Sequence, residues 1–523
     1  MLQYNGGLYL KSGQALAMQG AILPVEYQEL FAKMFDNAEA ASWKEMEKVV
    51  KEEFGGRSIE EVFGALDVNA TEHTAPNAGD VVTSPNFVFE ETPRACASIA
   101  QVHYARLADG QPVAVKIQKR AIAKSVSWDL WSMEKLADYC EWVTGLPLSE
   151  SGKYIAEQIM NEVDFNNEAN NAERLRELID GDKDLRERAY VPRVFRQLSS
   201  KRVLTTEWIE GATLWDKENI TGKAASRPVS PASSLKGSKP VQSKQGLGLS
   251  LDDVMGTVIE LWNKQIFHWG FVHCDPHPGN ILVRQRPSSP SRAQVVLLDF
   301  GLCIDLPDLV RRQYGRFWHA LVMADDVGLQ QVAQEWGLES ADAWADASLL
   351  RPYKEKTGVD ENGVDAAMAA AEAKEKKKKE TSEERSQRMI AESKAYLGKE
   401  GLFPMEMFLL ERTLTILQGN NRYLGSPVNR IKLIGLGAAR AVQRDERRDP
   451  SLRQQDVSVI YGLRRAIFAR VALASLDMAY WWSWLRQRLG YGSGFEEELK
   501  EAEDRQMDET KDVIAELFGI TME

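Results

Sequence analysis

Two short acidic motifs near the middle of the chain constrain its fold more than any other feature. The first runs from His273 to Asn280 and contains Asp275 five residues before Asn280, and the second, Asp299-Phe-Gly, follows an apolar, strand-like stretch. Carboxylate and amide oxygens are hard ligands of the kind that Mg²⁺ prefers. A carboxylate such as Asp275 can also orient a hydroxyl group and accept its proton during phosphoryl transfer. Together the motifs predict a catalytic loop followed by a metal-binding loop.

Upstream segments supply the other parts that phosphoryl transfer from a nucleotide needs. An Asp-Gly turn between alternating apolar segments predicts a β-hairpin whose second strand carries Lys116. Such a lysine neutralises nucleotide phosphates, and Glu168 on a later helical segment is our candidate for the carboxylate that holds it. Backbone groups from Glu207 to Ile209 are expected to bind the adenine ring at a hinge. The alternative for Lys116, a solvated strand lysine, is disfavoured by the two acidic motifs downstream.

The order of these elements predicts an α+β, protein-kinase-like fold with two lobes. At 523 residues the chain exceeds what one hydrophobic core usually fills. Ser42 with Glu45, and Ser58 with Glu61, predict capping boxes at the starts of two early helices. The predicted segments are an N-terminal helical extension (1–70), an N-lobe (85–215), a disordered Ser-, Pro- and Lys-rich insertion (221–250), a helical C-lobe (251–445) and a C-terminal helical extension (446–523).

Charge and cysteine usage exclude several classes of function. The formal net charge of −12 argues against a nucleic-acid partner, because proteins that bind nucleic acid generally present a net basic face. The four cysteines lie far apart and have no metal-ligand spacing, so we expect free thiols rather than a disulfide framework or a zinc site.

The sequence contains only weak indications of contact with a membrane. No apolar run approaches the ~20 residues that span a bilayer, so the chain is expected to be soluble or peripheral unless a targeting segment precedes Met1. The Trp-rich segment Tyr480-Trp-Trp-Ser-Trp484 lies between arginines, which suits a peripheral membrane contact, although a helix packed on the catalytic lobe is the favoured alternative. The lysine block 374–380 is interpreted as a solvated helix face or a disordered connection, with anionic lipid binding as its alternative.

Taken together, the motifs resemble the UbiB or aarF-domain family of atypical kinases, most closely its mitochondrial branch that contains aarF-domain kinase one and its fungal relatives. The likeness covers about residues 6–323 and continues more weakly to about residue 443. Besides the two acidic motifs, the resemblance rests on three further motifs: Lys11-x-Gly-Gln14, Ala95-Cys-Ala97-Ser98 and Glu162-x-Asp164.

The resemblance implies several features that composition and spacing alone would not give. Ala95, Ala97 and Ser98 stand where ordinary kinases have a glycine-rich nucleotide loop, and alanine disfavours the left-handed conformations that glycine allows. The N-terminal extension is expected to lie over the active site. There Lys11 and Gln14 would face the acidic pair of Glu162 and Asp164, whose alternative interpretation is a solvated acidic helix face.

Such a lid implies a small-molecule or lipid substrate rather than a peptide. The resemblance further implies ATP and Mg²⁺ as cofactors, a mitochondrial location and a link to lipid or coenzyme Q homeostasis. The leading hypothesis is therefore an ATP-dependent atypical kinase or ATPase. A nucleotide-gated lipid-handling protein with little transfer chemistry is the competing hypothesis. A scaffold pseudokinase is disfavoured, because Asn280 and Asp299 are both present.

Overall fold

The computed structural model describes residues 40–64, 84–97, 99–144, 148–222, 246–338, 340–349 and 402–449. In chain order its strands are β1 (Val88–Phe89), β2 (Ala95–Cys96), β3 (Ala100–Arg106), β4 (Pro112–Gln118), β5 (Ala189–Tyr190), β6 (Val203–Glu207), β7 (Ala212–Thr213), β8 (Phe271–His273), β9 (Ile281–Arg286), β10 (Ser289–Leu297) and β11 (Cys303–Asp305).

The helices are α1 (Trp43–Glu53), α2 (Ile59–Phe63), α3 (Arg120–Thr144), α4 (Leu148–Val163), α5 (Phe165–Gly181), α6 (Lys217–Thr221), α7 (Leu251–Asn263), α8 (Asp308–Met323), α9 (Asp326–Glu335), α10 (Asp342–Leu349), α11 (Glu406–Tyr423) and α12 (Arg430–Arg448). Outside the described residues lie Lys11, Gln14, Ser98, the lysine block 374–380 and the Trp-rich segment 480–484, together with residues 223–245 of the predicted insertion.

The N-lobe is built on an antiparallel sheet with the strand order β1-β3-β4-β6, to which β2 adds by pairing with β3. Strands β3 and β4 form the hairpin that the Asp-Gly turn predicts, with Val102 opposite Lys116. Helices α1 and α2 cover this sheet with apolar side chains such as Met46 and Val50, which are fully buried against Val113 and Val115. The alternation along β4 buries Val115 and Ile117, and Lys116 between them points to the other face.

The two predicted capping boxes have different outcomes. At α2, the Ser58 side chain accepts from the Glu61 backbone N–H at 3.3 Å, and the Glu61 carboxylate accepts from the Ser58 N–H at 2.7 Å. At α1, Ser42 makes no side-chain cap, so that part of the prediction is wrong. Both serines fit the motif and have an extended backbone, yet only Ser58 forms the box.

The C-lobe contains a four-stranded sheet of order β5-β10-β9-β7 and a two-stranded pair of β8 and β11. The register of the β9 and β10 pair sets Ile281 opposite Leu297, and the Leu298 N–H donates to the Asn280 carbonyl at 2.8 Å. Because the catalytic loop ends where β9 begins and the metal loop starts just after β10, this register carries both loops to the same edge of the sheet. The α+β, two-lobed kinase-like prediction is thereby confirmed.

Helix α7 and the π-helical turn that follows it (Lys264–Trp269) hold the start of the catalytic loop through two side-chain hydrogen bonds. The Trp262 indole N–H donates to the His273 carbonyl at 2.9 Å, and the Gln265 side-chain oxygen accepts from the His273 N–H at 2.8 Å. The turn ends at Gly270, whose φ of 66° lies in the left-handed region that favours glycine. Among the described residues, no helix combines the length and the apolar character needed to cross a membrane.

This anchoring predicts that Trp262→Phe destabilises the fold by about 1–3 kcal/mol, because it leaves the buried His273 carbonyl without its donor. The smaller phenyl ring also leaves a cavity at this buried position, which adds to the loss. Urea denaturation followed by tryptophan fluorescence measures the change in midpoint. Trp128→Phe is the matched control, since Trp128 is 65% exposed and its replacement should stay within about 0.5 kcal/mol. Equal midpoints for the two variants would contradict the anchoring role.

Candidate functional site

Lys116 lies at the centre of the candidate site, between two carboxylates from different parts of the fold. Its Nζ donates to both carboxylate oxygens of Glu168 on α5, at 2.8 and 2.9 Å. It also donates to Asp299 Oδ2 in the metal loop at 2.9 Å. The structure therefore brings together a strand lysine, a helical acid and a C-lobe acid that lie up to 183 positions apart in sequence.

Because this cluster is largely buried, its charged groups are costly unless they are paired with one another. The side chains of Lys116 and Glu168 are 13% and 2% exposed, whereas that of Asp299 is 36% exposed. Burial alone would lower the pKa of Lys116, but the charges of Asp299 and Glu168 outweigh it and hold that pKa above its usual range. The ammonium group is thus a fixed positive charge at neutral pH, as a group that binds phosphate must be.

Asp299 has an unusual backbone conformation. Its φ is 51°, in the left-handed region that residues other than Gly, Asn and Asp seldom adopt. The Asp299 Oδ1 atom accepts from the Gly301 N–H at 3.2 Å, which helps to hold this conformation. Strain of this kind costs about 1–3 kcal/mol and is typical of ligand-binding sites.

The catalytic loop presents Asp275 and Asn280 side by side. The Asn280 side-chain N–H₂ donates to Asp275 Oδ2 at 3.0 Å and lies 3.3 Å from its backbone carbonyl oxygen. This fixes the amide so that its oxygen, which has no hydrogen-bond partner among the described residues, remains available to a cation.

His273 ties the catalytic loop to the metal loop. Its ring is fully buried, and Nδ1 accepts from the Asp275 N–H at 3.3 Å. The proton therefore sits on Nε2, which donates to the Asp299 carbonyl at 2.7 Å. One side chain consequently sets the spacing between the two acidic motifs.

The acidic pair at the end of α4 divides into two structural roles. A Cβ added at Gly301 would lie 2.6 Å from Glu162 Cγ, so the Glu162 side chain packs directly against the metal loop. Asp164 caps α5 by accepting from the Asn166 N–H at 3.0 Å, and its carboxylate lies 4.0 Å from Lys201. The predicted lid partners Lys11 and Gln14 lie outside the described residues.

Of the predicted nucleotide-loop residues, Ala95 lies in a strand and Ala97 follows it. Ala95 belongs to β2 and pairs with Val102 of β3. The Ala97 N–H donates to the Ala100 carbonyl at 2.8 Å, and Ser98 lies outside the described residues. Neither Ala95 nor Ala97 has a positive φ. The alanines therefore avoid the left-handed conformation that glycine would permit, as their side chains require.

At the predicted hinge, backbone and side chain have separate partners. The Glu207 carboxylate accepts from the Tyr190 hydroxyl at 2.5 Å, and the Glu207 N–H donates to the Arg193 carbonyl at 2.9 Å. Burial, followed by this carboxylate, raises the pKa of Tyr190 to about 12. Of the three predicted hinge residues, Ile209 is the one whose N–H makes no hydrogen bond within the described residues.

Sequence reasoning missed the contacts of helix α11, which meets three consecutive residues of the catalytic loop. Asn420 Nδ2 donates to the Pro276 carbonyl at 2.8 Å, and Arg412 Nη2 donates to Asp275 Oδ1 at 3.3 Å. Thr413 Oγ1 lies 3.3 Å from the Cys274 carbonyl oxygen. Only the fold brings these partners together, because they stand 137 to 144 positions apart and no local motif marks them.

The donor set fits a nucleotide with Mg²⁺. The described residues hold no cluster of three or more His, Cys, Asp or Glu side chains arranged for a metal. Mg²⁺, however, commonly binds through one or two protein oxygens together with substrate phosphates and water. Asn280 Oδ1 and the Asp299 carboxylate are oxygens of that kind, and Lys116 supplies the positive charge for phosphate.

The contact between Glu162 and the metal loop predicts that Gly301→Ala destabilises the protein by about 1–3 kcal/mol. The new methyl group would lie 2.6 Å from Glu162 Cγ and 3.2 Å from Asp299 Oδ1. Thermal melting measures the effect, and adding Glu162→Ala, which removes Cγ, should recover most of the loss.

Gly256→Ala within α7 is the control for the added methyl group. It meets nothing within 4 Å and should stabilise the helix by about 0.5–1 kcal/mol. If Gly301→Ala melts like the wild type, the proposed packing of Glu162 against the metal loop is incorrect.

Comparison with known proteins agrees with this geometry. Residues 67–333 match the ABC1 atypical kinase-like domain. An ABC1 family protein of Purpureocillium lilacinum is 56% identical over 522 residues, covering 100% of this chain and 81% of that protein. An ABC1 family protein of Schizosaccharomyces pombe is 32% identical over 82% of this chain and 69% of its own length.

More distant matches cover less of their own lengths. AarF domain-containing protein kinase 1 of Gallus gallus is 32% identical over 64% of this chain, which spans 54% of that protein. A solved Mycobacterium tuberculosis structure, a complex of Rv3197 with erythromycin, overlaps at 22% identity with a TM-score of 0.38, over 62% of this chain and 68% of that one. That overlap is too loose to support a fold. On the sequence matches, the chain belongs to the ABC1, or UbiB and aarF-domain, family of atypical kinase-like proteins.

Proposed function

We propose that this protein binds ATP with Mg²⁺ and transfers or hydrolyses the terminal phosphoryl group. The single observation that carries the proposal is Lys116, whose ammonium group lies 2.8 Å from Glu168 and 2.9 Å from Asp299. A lysine held by a helical acid beside a metal-loop aspartate is the arrangement that positions nucleotide phosphates in kinase-like enzymes.

Each site residue then has a distinct task. Lys116, positioned by Glu168, contacts the phosphates, and Asn280 and Asp299 hold Mg²⁺. When bound, the metal neutralises charge on the phosphate oxygens. Asp275 orients the hydroxyl group or water that attacks and accepts its proton. As the new P–O bond forms at the terminal phosphorus, the bond to the bridging oxygen breaks, and ADP leaves with the electron pair.

For the substrate we favour a small molecule or a lipid over a peptide. The support is the resemblance in the N-terminal motif at Lys11 and Gln14, which in the family belongs to a lid over the active site. We also propose a mitochondrial location and a link to lipid or coenzyme Q homeostasis, both of which rest on kinship with aarF-domain kinases. Nucleic acid is an unsuitable partner for a chain with a net charge of −12.

The proposed metal role predicts that Asp299→Asn weakens binding of ATP with Mg²⁺ at least about tenfold, because one anionic ligand is lost. Titration calorimetry with and without Mg²⁺ measures the affinity. Asp305→Asn is the matched control, since Asp305 is 66% exposed and pairs with Arg174 rather than with the site. Wild-type protein without Mg²⁺-dependent ATP affinity, or a variant that binds as well as the wild type, would refute the assignment.

A second candidate function, nucleotide-gated lipid handling, is favoured by an exposed aromatic face on α3. Trp128, Trp131, Tyr139 and Trp142 are 65%, 49%, 60% and 80% exposed. Trp128 and Trp131 stack with ring centroids 4.9 Å apart. Trp and Tyr side chains are enriched at membrane interfaces, where one end of the ring system is apolar and the other is wet. Peripheral membrane contact through the Trp-rich segment 480–484 remains a separate proposal.

Lipid handling predicts that the full chain co-sediments with phosphatidylcholine vesicles and that Trp128→Ser with Trp142→Ser lowers this at least about tenfold. Each ring buried in the interface removes apolar area from water worth about 1.5–3 kcal/mol. Trp215→Ser is the control, because Trp215 is 41% exposed but does not belong to α3 and stacks on Tyr423. Unchanged sedimentation of the double variant would exclude α3 as the membrane contact.

A further inference from the structure

Helix α11 holds the catalytic loop in two different ways. Its Asn420 side chain donates to the Pro276 backbone carbonyl at 2.8 Å, which fixes the path of the loop. Its Arg412 guanidinium instead reaches a side chain, Asp275 Oδ1, at 3.3 Å. Arg412 therefore contacts the Asp275 carboxylate itself rather than the main chain of the loop.

We propose that Arg412 is a positioning residue for phosphoryl transfer, which acts by fixing the orientation of the Asp275 carboxylate toward the incoming hydroxyl group. The proposal rests on the proposed function. It gives α11 a role in the reaction, although neither acidic motif lies on this helix.

Two contacts hold the Asp275 carboxylate, one on each oxygen. Asn280 Nδ2 donates to Oδ2 at 3.0 Å, and Arg412 Nη2 donates to Oδ1 at 3.3 Å. A carboxylate held at one oxygen can still rotate about its Cβ–Cγ bond, whereas bonds to both oxygens define its plane. A base that must meet a hydroxyl proton along one direction gains from that restriction, because misplacement by about 1 Å can cost about 10²-fold in rate.

The residue beside Asp275 cannot supply this charge. The position immediately before Asp275 is Cys274. Its side chain is fully buried, and burial raises the pKa of the thiol to about 12, so it stays neutral. Arg412, from a helix 137 positions away in sequence, brings a guanidinium to the catalytic aspartate.

The path of the loop does not depend on Arg412. The Cys274 N–H donates to the Leu302 carbonyl at 2.9 Å, and Asn420 holds Pro276. The two charged side chains are also partly solvated, with 23% of Arg412 and 30% of Asp275 exposed. Loss of Arg412 should therefore free the carboxylate without displacing the loop, which separates a positioning role from a structural one.

Steady-state kinetics of Arg412→Gln and Arg412→Lys in the full chain test the proposal. We expect Arg412→Gln to lower kcat for ATP turnover about 10- to 100-fold, while the KM for ATP and the affinity for ATP with Mg²⁺ change less than about threefold. Arg412→Lys keeps a positive charge and should recover part of kcat. Arg447→Gln, at an exposed position of α12, is the control and should behave like the wild type.

A kcat for Arg412→Gln equal to that of the wild type overturns this inference and leaves the proposed function standing. A parallel loss of kcat and nucleotide affinity overturns it as well, because that result indicates a structural role. If the wild type neither binds nor turns over ATP, the proposed function fails, and a thermal-stability cycle of Arg412→Gln with Asp275→Asn still tests the contact. Additive losses in that cycle would show that the two side chains are not coupled.

Discussion

The ion cluster of Lys116 with Glu168 and Asp299 is the interaction on which the rest of the site depends, because it joins the two lobes. Lys116 and Glu168 belong to the N-lobe, whereas Asp299 follows the last long strand of the C-lobe sheet. Removing one charge of such a buried set leaves the others uncompensated and typically costs about 3–5 kcal/mol. The same cluster that closes the cleft thus fixes the side chains that would face a nucleotide.

Around this cluster, backbone register and a few buried side chains set the remaining distances. The pairing of Ile281 with Leu297 brings the ends of the catalytic and metal loops together, and His273 then bonds to both loops. Trp262 and α11 support the catalytic loop from outside. The positive φ of Asp299 persists because these bonds surround it, which is how strain is usually maintained at a ligand site.

Much of this arrangement could be predicted from the sequence, because the residues that meet ligands occur in short motifs. Lys116, Asp275, Asn280 and Asp299 were each marked by neighbours whose spacing reflects the chemistry, and the Asp-Gly turn marked the hairpin. The contacts of α11 had no such signal. Arg412 is one of two arginines on α11, and nothing local distinguishes the one that reaches Asp275.

Finer details of local geometry could not be predicted from the sequence either. Ser42 and Ser58 present the same capping motif, yet only Ser58 forms a complete box. The Asp164 carboxylate caps α5, a contact that the sequence analysis did not predict. In these cases several conformations satisfy the local pattern equally well, and tertiary packing selects one of them.

A crystal structure of the full chain with a non-hydrolysable ATP analogue and Mg²⁺ tests the central claim most directly. The account predicts phosphate oxygens within about 3 Å of Lys116 Nζ, and Mg²⁺ about 2.0–2.1 Å from Asn280 Oδ1 and the Asp299 carboxylate. A nucleotide bound elsewhere on the protein, or phosphates that lie beyond the reach of Lys116 while its contacts to Glu168 and Asp299 stay intact, would contradict it.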